Sequence, residues 1–421
     1  MKRVAIIGAG AAGCFCAVQL HRMVPGLSVT LFEAGPKAMA KLAITGGGRC
    51  NLTNSFEGIS SLSEAYPRGE RLMKRALKAF SQEDTVTWFE SEGIPLVLQE
   101  DHCWFPRSQD AMDIVRCLGR GLKGVDLRLR TPVTSVCHSE RSEESPGTEE
   151  SEGAQRSFVV YTTQDDRHGE AFDYVVVTTG GAPKGLPFLE GLGLEFVPPV
   201  PSLFTFNIPD QELRSLMGLV TDAAVSLPGT HFRAEGPLLI TDWGFSGPAT
   251  LKLSSYAARH LAENGYRGTV AVNWLNDRED EIRNRLLEVA AANPRKQLSN
   301  TPLLQARLWA HLLRRAGLRA DLRWAELGGK GLNRLIATLS CDQYPLAGKS
   351  RFREEFVTAG GVALSNLNLN TLESRQHPGL FFAGEVLDID AITGGFNLQA
   401  AWSTGYVCAR SIAGRENCLS L

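Results

Sequence analysis

Apolar residues open the chain in a block, Val4-Ala5-Ile6-Ile7. Glycines follow at close spacing in Gly8-Ala9-Gly10-Ala11-Ala12-Gly13, and a second apolar run, Val29-Thr30-Leu31-Phe32, ends on Glu33. This order predicts strand, tight turn, helix from about Ala11, strand, acid. Tyr174-Val175-Val176-Val177 and Leu380-Phe381-Phe382 are apolar at every position and run into glycines. Such strands are buried on both faces, as in a parallel sheet. Between about residues 69 and 92, Leu72, Ala76, Leu77, Phe80, Trp88 and Phe89 recur at helical spacing. Asp101–Pro106 reads as a Trp-Phe-Pro turn before a short helix from about Asp110. From about Pro198 short alternating runs predict antiparallel strands, at Leu203–Ile208, Ala223–Leu227, Pro237–Thr241 and Thr269–Trp274. Residues 277–340 read as helices, one of them spanning about Leu304–Leu327 with Arg307, Arg314, Arg315, Arg319 and Arg323. That helix reads first as a packed helix with a solvated basic face, and second as an anion or partner site. Thr393-Gly394-Gly395-Phe396-Asn397-Leu398 opens a last helix running to about Ile412.

Two nucleotide-type elements this far apart imply one discontinuous domain. The expectation is an α/β, doubly wound, Rossmann-like domain built from 1–195 and 346–421. It is interrupted by a β-barrel-like subdomain, 196–275, and a helical subdomain, 276–345. Strands are expected at Thr131–Cys137 and Phe158–Thr163. The stretch between them, His138–Ser157, holds six glutamates and five serines and almost nothing apolar, so it is expected as a disordered loop.

With 421 residues the chain exceeds one ordinary core. Its net charge of -2 gives no global field for nucleic acid or an anionic membrane. No run approaches the ~20 apolar residues of a membrane span. The nine cysteines are odd in number, scattered and without CxxC spacing, which suits reduced thiols in a cytoplasm and argues against a zinc site. Lys2-Arg3 before an apolar stretch and Ala11-Ala12-Gly13-Cys14 also fits a lipoprotein signal. Three glycines inside a signal helix are costly, however, and Glu33 would go unexplained.

The first turn carries the chemistry. Gly8 permits the tight turn, Gly10 leaves room for a pyrophosphate, and Gly13 lets the helix lie close on the strand. The helix start at Ala11 offers free N–H groups and a positive dipole end to phosphates. Glu33, 20 residues beyond Gly13, stands where a carboxylate accepts hydrogen bonds from an adenosine ribose. The turn at Gly394-Gly395 precedes another helix N-terminus, suited to partial negative charge on a flavin ring. His102, Asp242 and Asp388 are candidate proton-transfer groups, and the sequence singles out no catalytic residue among them.

Three further blocks identify a relation. They are Thr45-Gly-Gly-Gly-Arg-Cys-Asn-Leu-Thr-Asn54, Gly379-Leu-Phe-Phe-Ala-Gly-Glu-Val-Leu-Asp388 and Ile392-Thr-Gly-Gly-Phe-Asn-Leu-Gln399. With these the chain resembles a bacterial family of FAD-dependent oxidoreductases that includes aminoacetone oxidases and a proposed bile-acid-pathway reductase. The resemblance implies FAD across Gly8, Gly10, Ala12, Gly13 and Glu33. Lys41, Gly47, Gly48, Arg49 and Asn51 would line its middle and ring, Val133 would meet the adenine, and Gly180 the ribose side. Gly384, Glu385, Gly395, Asn397 and Leu398 would close over the ribityl and flavin. No second GxGxxG follows a later strand, so NAD(P)H, if it is the electron donor, docks transiently.

The expected function is oxidoreduction of a small organic metabolite in a cleft between the FAD domain and the insert. The reaction is double-bond reduction, or amine or alcohol oxidation. The alternative is an accessory flavoprotein that binds a protein or RNA partner; neither a nucleic acid nor a membrane is expected of the enzyme.

Overall fold

A computed structural model describes residues 2–139, 157–163, 165–181, 185–349 and 357–418. The acidic stretch expected as a disordered loop lies, apart from its ends, outside the described residues. The chain divides into two compact units, residues 1–200 with 357–421 and residues 201–356.

The first unit is built on a seven-stranded sheet. Arg3–Ile7 is the middle one of its five parallel strands, flanked by Ser28–Phe32 on one side and Tyr174–Val177 on the other. Asp126–Arg128 and Leu380–Phe382 extend the parallel set outward. Two short antiparallel strands, Leu367–Asn368 and Glu373–Ser374, finish one edge. The unbroken apolar runs are the buried strands: Val4, Ala5, Ile6, Val175, Val176 and Val177 are fully covered. The helix Ala11–Met23 packs on the long helix Phe396–Cys418 through Phe15 and Trp402, whose rings lie 5.4 Å apart. Gly405 makes the close approach possible, because a Cβ there would stand 2.8 Å from the Ala12 carbonyl oxygen.

Several local readings are corrected. The 69–92 segment is two helices, Glu70–Ala79 and Gln82–Ser91. Ser81 ends the first and caps the second: its hydroxyl accepts the Asp84 N–H (3.1 Å) and its own N–H donates to the Asp84 carboxylate (2.8 Å). Cys103–Pro106 is a strand, paired with Leu96–Leu98 and Thr53–Asn54, and the turn lies just before it. The sequence reading omits Asp165–Phe172, the third strand of a meander with Val133–Ser139 and Ser157–Thr162.

The second unit is a six-stranded antiparallel sheet with helices. Its edges meet: Phe206 bridges Lys349, and the Asn207 N–H donates to the Gly348 carbonyl at 2.8 Å, closing the sheet into a barrel-like form. The β-rich and helical stretches separated in the sequence reading share one core, running from Phe204 to Leu346 and including Trp274, Trp309 and Trp324. The helix expected over Leu304–Leu327 ends at Arg315, because Gly317 has φ +65° and the chain turns there. Among the described residues, no helix is long and apolar enough to cross a membrane.

Candidate functional site

The turn after the first strand has the geometry its glycines predict. Gly8 has φ +108°, and a Cβ there would lie 2.6 Å from the Thr178 carbonyl oxygen, so only glycine fits. A Cβ on Gly13 would stand 2.0 Å from the Gly8 carbonyl oxygen, so the helix rides directly on the turn. Gly10 differs: a Cβ on it would meet no atom within 4 Å. The space beside Gly10 is open, and the first-turn N–H groups of the helix border it.

Glu33 closes the other end. Its carboxylate accepts the Ala9 N–H at 3.0 Å and the Gly35 N–H at 2.7 Å, one on each oxygen. Each carboxylate oxygen retains a lone pair for a ribose hydroxyl. The Thr131 N–H donates to the Glu33 carbonyl at 2.8 Å and the Arg130 N–H to the Gly35 carbonyl at 2.9 Å, which brings the segment leading to Val133 alongside.

A second group gathers residues from five segments distant in sequence. Lys41 Nζ lies 3.9 Å from Glu385, whose other oxygen accepts the Thr358 N–H at 2.8 Å. Gly180, at φ +75°, would place a Cβ 3.5 Å from the same carboxylate. Gly384, adjacent, would put a Cβ 2.9 Å from the Ala12 side chain. Lys41, Gly180, Glu385, Gly384 and Ala12 thus meet.

The loop Thr45–Asn54 carries open glycines. Gly47 and Gly48 have φ +69° and +84°, and a Cβ on either meets nothing within 4 Å. Arg49 lies over the Phe105 ring at 4.6 Å, and its Nε donates to the Gly46 carbonyl at 3.3 Å. Among the described residues it has no acidic partner, so its positive charge remains available to a bound anion. Burial pushes the Cys50 thiol up to about 12, with a bond to Thr45 opposing. It is a packed, protonated thiol.

The loop is clamped to the last helix. The Asn51 amide spans the Thr53 carbonyl and the Gly395 N–H, at 3.2 Å each. A Cβ on Gly395, at φ +88°, would lie 2.6 Å from the Thr53 carbonyl oxygen. The absence of a side chain on Gly395 therefore serves this contact with the loop, in addition to the flavin contact expected of it. Asn397 is committed likewise: its amide accepts the Ala391 N–H and donates to the Ala391 carbonyl, both at 3.0 Å. What the helix start keeps for a ligand is the backbone N–H groups of its first turn, around Asn397 and Leu398.

Residues outside the predicted set hold this frame. Gln399 is fully buried, accepting from Thr53 Oγ1 (2.6 Å) and Thr85 Oγ1 (2.9 Å) and donating to the Ser81 carbonyl (3.1 Å) and Ser403 Oγ (2.9 Å). The Tyr66 hydroxyl donates to the Phe396 carbonyl at 2.9 Å, and Arg68 pairs with the buried Asp390. Gln399 ends a recognisable motif; Tyr66 and Arg68 give no sequence signal. Of the proton-transfer candidates, His102 sits at a hairpin turn, 3.5 Å from Glu57. Asp388 donates its N–H to the Val362 carbonyl at 3.0 Å, and Asp242 belongs to the second unit.

The donor set is compatible with an adenine dinucleotide: carboxylate acceptors at Glu33, open space beside Gly10, and unobstructed glycines beside a guanidinium at Arg49. Residues 2–411 match the family described as HI0933-like protein Rossmann domain. The chain is 31% identical to the ribosomal RNA dihydrouridine synthase of Escherichia coli K12, over 97% of each protein. It is 28% identical to the 3-dehydro-bile acid delta(4,6)-reductase of Clostridium scindens, over 99% of this chain and 100% of that one. In fold it is similar to the 3-ketosteroid delta1-dehydrogenase of Sterolibacterium denitrificans, with TM-score 0.51, 13% identity, and coverage of 99% and 100%. The chain belongs to the HI0933-like Rossmann family and is an FAD-dependent oxidoreductase.

Proposed function

We propose that the enzyme reduces a ring carbon–carbon double bond conjugated to a carbonyl, and that its substrate is a uracil base in structured RNA. The observation that carries this reading is the pair of relatives matched along nearly their whole length, one named for uridine reduction in ribosomal RNA and one for a keto-steroid reductase. A uracil ring and a 3-keto diene share little besides an activated double bond. Their common chemistry therefore favours reduction over amine or alcohol oxidation. The RNA substrate is preferred because two relatives with that name, at 31% and 29%, span at least 97% of both chains.

Bound FAD supplies the hydride for such a reduction. Glu33 fixes the adenosine end, and the backbone beside Gly10 accepts the pyrophosphate. Gly47 and Gly48 leave room for a flat ring, and Arg49, resting on Phe105, offers an unpaired guanidinium to negative charge. The reduction also takes up a proton, from solvent in this reading, at the carbon next to the carbonyl. Cys50 and Cys103 are poor ionising groups in the folded protein, with thiols pushed by burial to about 12 and about 11. The electron donor in this reading is NAD(P)H, docking transiently.

The test is anaerobic turnover with NAD(P)H of a ribosomal RNA fragment lacking dihydrouridine, read by nucleoside mass spectrometry. A gain of two hydrogens on uridine is the expected result. Reduction of a free keto-steroid enone with no reaction on RNA overturns the RNA substrate. Oxidation of amines or alcohols, with neither reduction observed, overturns the reaction class.

A further inference from the structure

This inference rests on the RNA reading above and says where the RNA is held. We propose that the later helical segment of the second unit, about 294–334, is a docking surface for the RNA phosphate backbone. Between Pro294 and Arg334 nine lysines and arginines stand against two acids, Asp321 and Glu326, in a chain whose overall charge is -2; of the nine, Arg314 and Arg315 pair with Glu212, Asp210 and Asp342 from outside the segment. The rest of the chain is therefore acidic, and the positive charge is concentrated.

The fold fixes these cations on a defined backbone. The strip near Pro294 lies antiparallel to the strip near Trp324. Gln297 bridges Arg323, the Trp324 N–H donates to the Lys296 carbonyl (3.2 Å), and the Ala325 N–H donates to the Pro294 carbonyl (2.9 Å). Side chains alternate along paired strips. Leu298 and Trp324 turn into the core, the Trp324 indole N–H reaching Thr301 Oγ1 at 2.7 Å. Arg295, Lys296 and Arg323 are exposed.

The two acids do not neutralise them. Asp321 pairs with Arg319 at 2.9 Å, and the Glu326 carboxylate accepts the backbone N–H of Arg323 at 3.2 Å. Among the described residues, Arg295, Lys296 and Arg323 have no ion pair. The preceding helix, Glu279–Ala292, behaves differently: Arg278, Arg283 and Arg285 each stand beside an acid, at 3.2, 3.8 and 3.5 Å. Uncompensated cations on a rigid frame displace counterions from a polyanion, which gives affinity without sequence preference. A small free substrate requires no such surface.

The test compares wild type with Arg295→Gln/Lys296→Gln/Arg323→Gln in binding the ribosomal RNA fragment across a salt series. Arg71→Gln/Lys74→Gln/Lys78→Gln, on the exposed face of helix Glu70–Ala79, removes the same charge from the first unit. The slope of log affinity against log salt should become shallower by about one per residue removed, and binding at fixed salt should fall roughly tenfold or more. FAD content and the rate of flavin reduction by NAD(P)H should not change. The surface is overturned if the first triple variant binds like wild type, if the control triple loses as much, or if wild type binds anionic phospholipid vesicles and not RNA. Dihydrouridine formed by wild type together with an unchanged slope in the variant refutes the surface and leaves the substrate standing. A lowered slope without dihydrouridine refutes the substrate and leaves the surface standing.

Discussion

The two glycine turns of the first unit look alike in sequence and work differently. At the N-terminal turn one glycine, Gly10, faces space in which a Cβ meets nothing. At the C-terminal turn both glycines face protein: a Cβ on Gly394 would stand 3.0 Å from Phe396 and on Gly395 2.6 Å from the Thr53 carbonyl, just as one on Gly384, ten residues earlier, would stand 2.9 Å from Ala12. Glycine in a nucleotide motif thus has two meanings, room for a ligand and room for another part of the chain. The first turn combines both, since Gly8 and Gly13 are packed and Gly10 is not. The second turn contributes to the site by holding the Thr45–Asn54 loop in place.

The largest effect should come from Gly395→Ala. The residue combines a left-handed backbone with a backbone collision, each costing about 1–3 kcal/mol. A loss of ~4 kcal/mol in apoprotein unfolding free energy is expected. Cys50 provides a local reporter, because the loop that buries it is clamped by Gly395. Its thiol is pushed to about 12 from an ordinary 9.0, so alkylation in the native protein at pH 8 should be slower by about three powers of ten. The rate should rise with pH toward that value. In Gly395→Ala the same thiol should react nearly as fast as an ordinary one. An unperturbed melting curve and a protected Cys50 would show that this turn has slack, and that its glycine is there for the ligand after all.

Gln399→Leu should come next, at about 2–3 kcal/mol of stability. It leaves the Thr53 hydroxyl without its acceptor at a fully buried position and severs a hub between three segments. Loss of stability with FAD affinity per folded molecule nearly unchanged would mark Gln399 as frame. A selective loss of FAD would move it into the site.

How far the sequence carries depends on whether a residue's partner is local. The parallel strands were legible because burial on both faces leaves an unbroken apolar run, as at Tyr174–Val177. The tight turn at Gly8, the close ride of Gly13 on it and the reach of Glu33 back to Ala9 were legible because they fall within one strand–turn–helix–strand unit, although the atoms a Cβ on Gly8 would strike belong to the distant Thr178. The break at Ser81 was also local, an S-x-x-D cap that the periodic apolar positions on either side conceal. The protein contacts of Gly395 and Asn397 were not legible. Their partners, Thr53 and Ala391, are set by how distant or irregular segments pack, and no spacing encodes that. The buried pair of Arg68 and Asp390 leaves no local trace for the same reason. The helix expected across Leu304–Leu327 failed because the arginines kept a helical rhythm past Gly317, where the backbone turns.

A smaller effect is expected at Glu33, on the ligand rather than the fold. Glu33→Gln keeps one carbonyl acceptor but removes the charge and converts the other oxygen into a donor, which faces either the Ala9 or the Gly35 N–H. FAD affinity should weaken by about 1.5–3 kcal/mol, the worth of hydrogen bonds to a charged group, as read by titration of apoprotein with FAD. Unchanged affinity would remove the adenosine role from this carboxylate and leave it as a clamp on two backbone N–H groups.

The smallest effect on the fold should be at Gly10, which makes it the sharpest test of the comparison. Its φ of -83° is open to any residue, and a Cβ there touches no atom of the protein. Alanine in place of glycine restricts the unfolded chain, which stabilises by about 0.4–1 kcal/mol. It is also the poorer residue at a helix N-cap, by a similar amount. The two terms offset, so unfolding of Gly10→Ala apoprotein should match wild type within about 0.5 kcal/mol. FAD affinity should nevertheless fall at least tenfold, because the added methyl occupies the space through which a pyrophosphate reaches the first-turn N–H groups. Gly10→Val, with more bulk in the same place, should fall further at equal apoprotein stability. Stability and affinity thus separate at Gly10 and move together at Gly395. If Gly10→Ala binds FAD as tightly as wild type, the open space is not the phosphate position, and the two turns differ in packing alone.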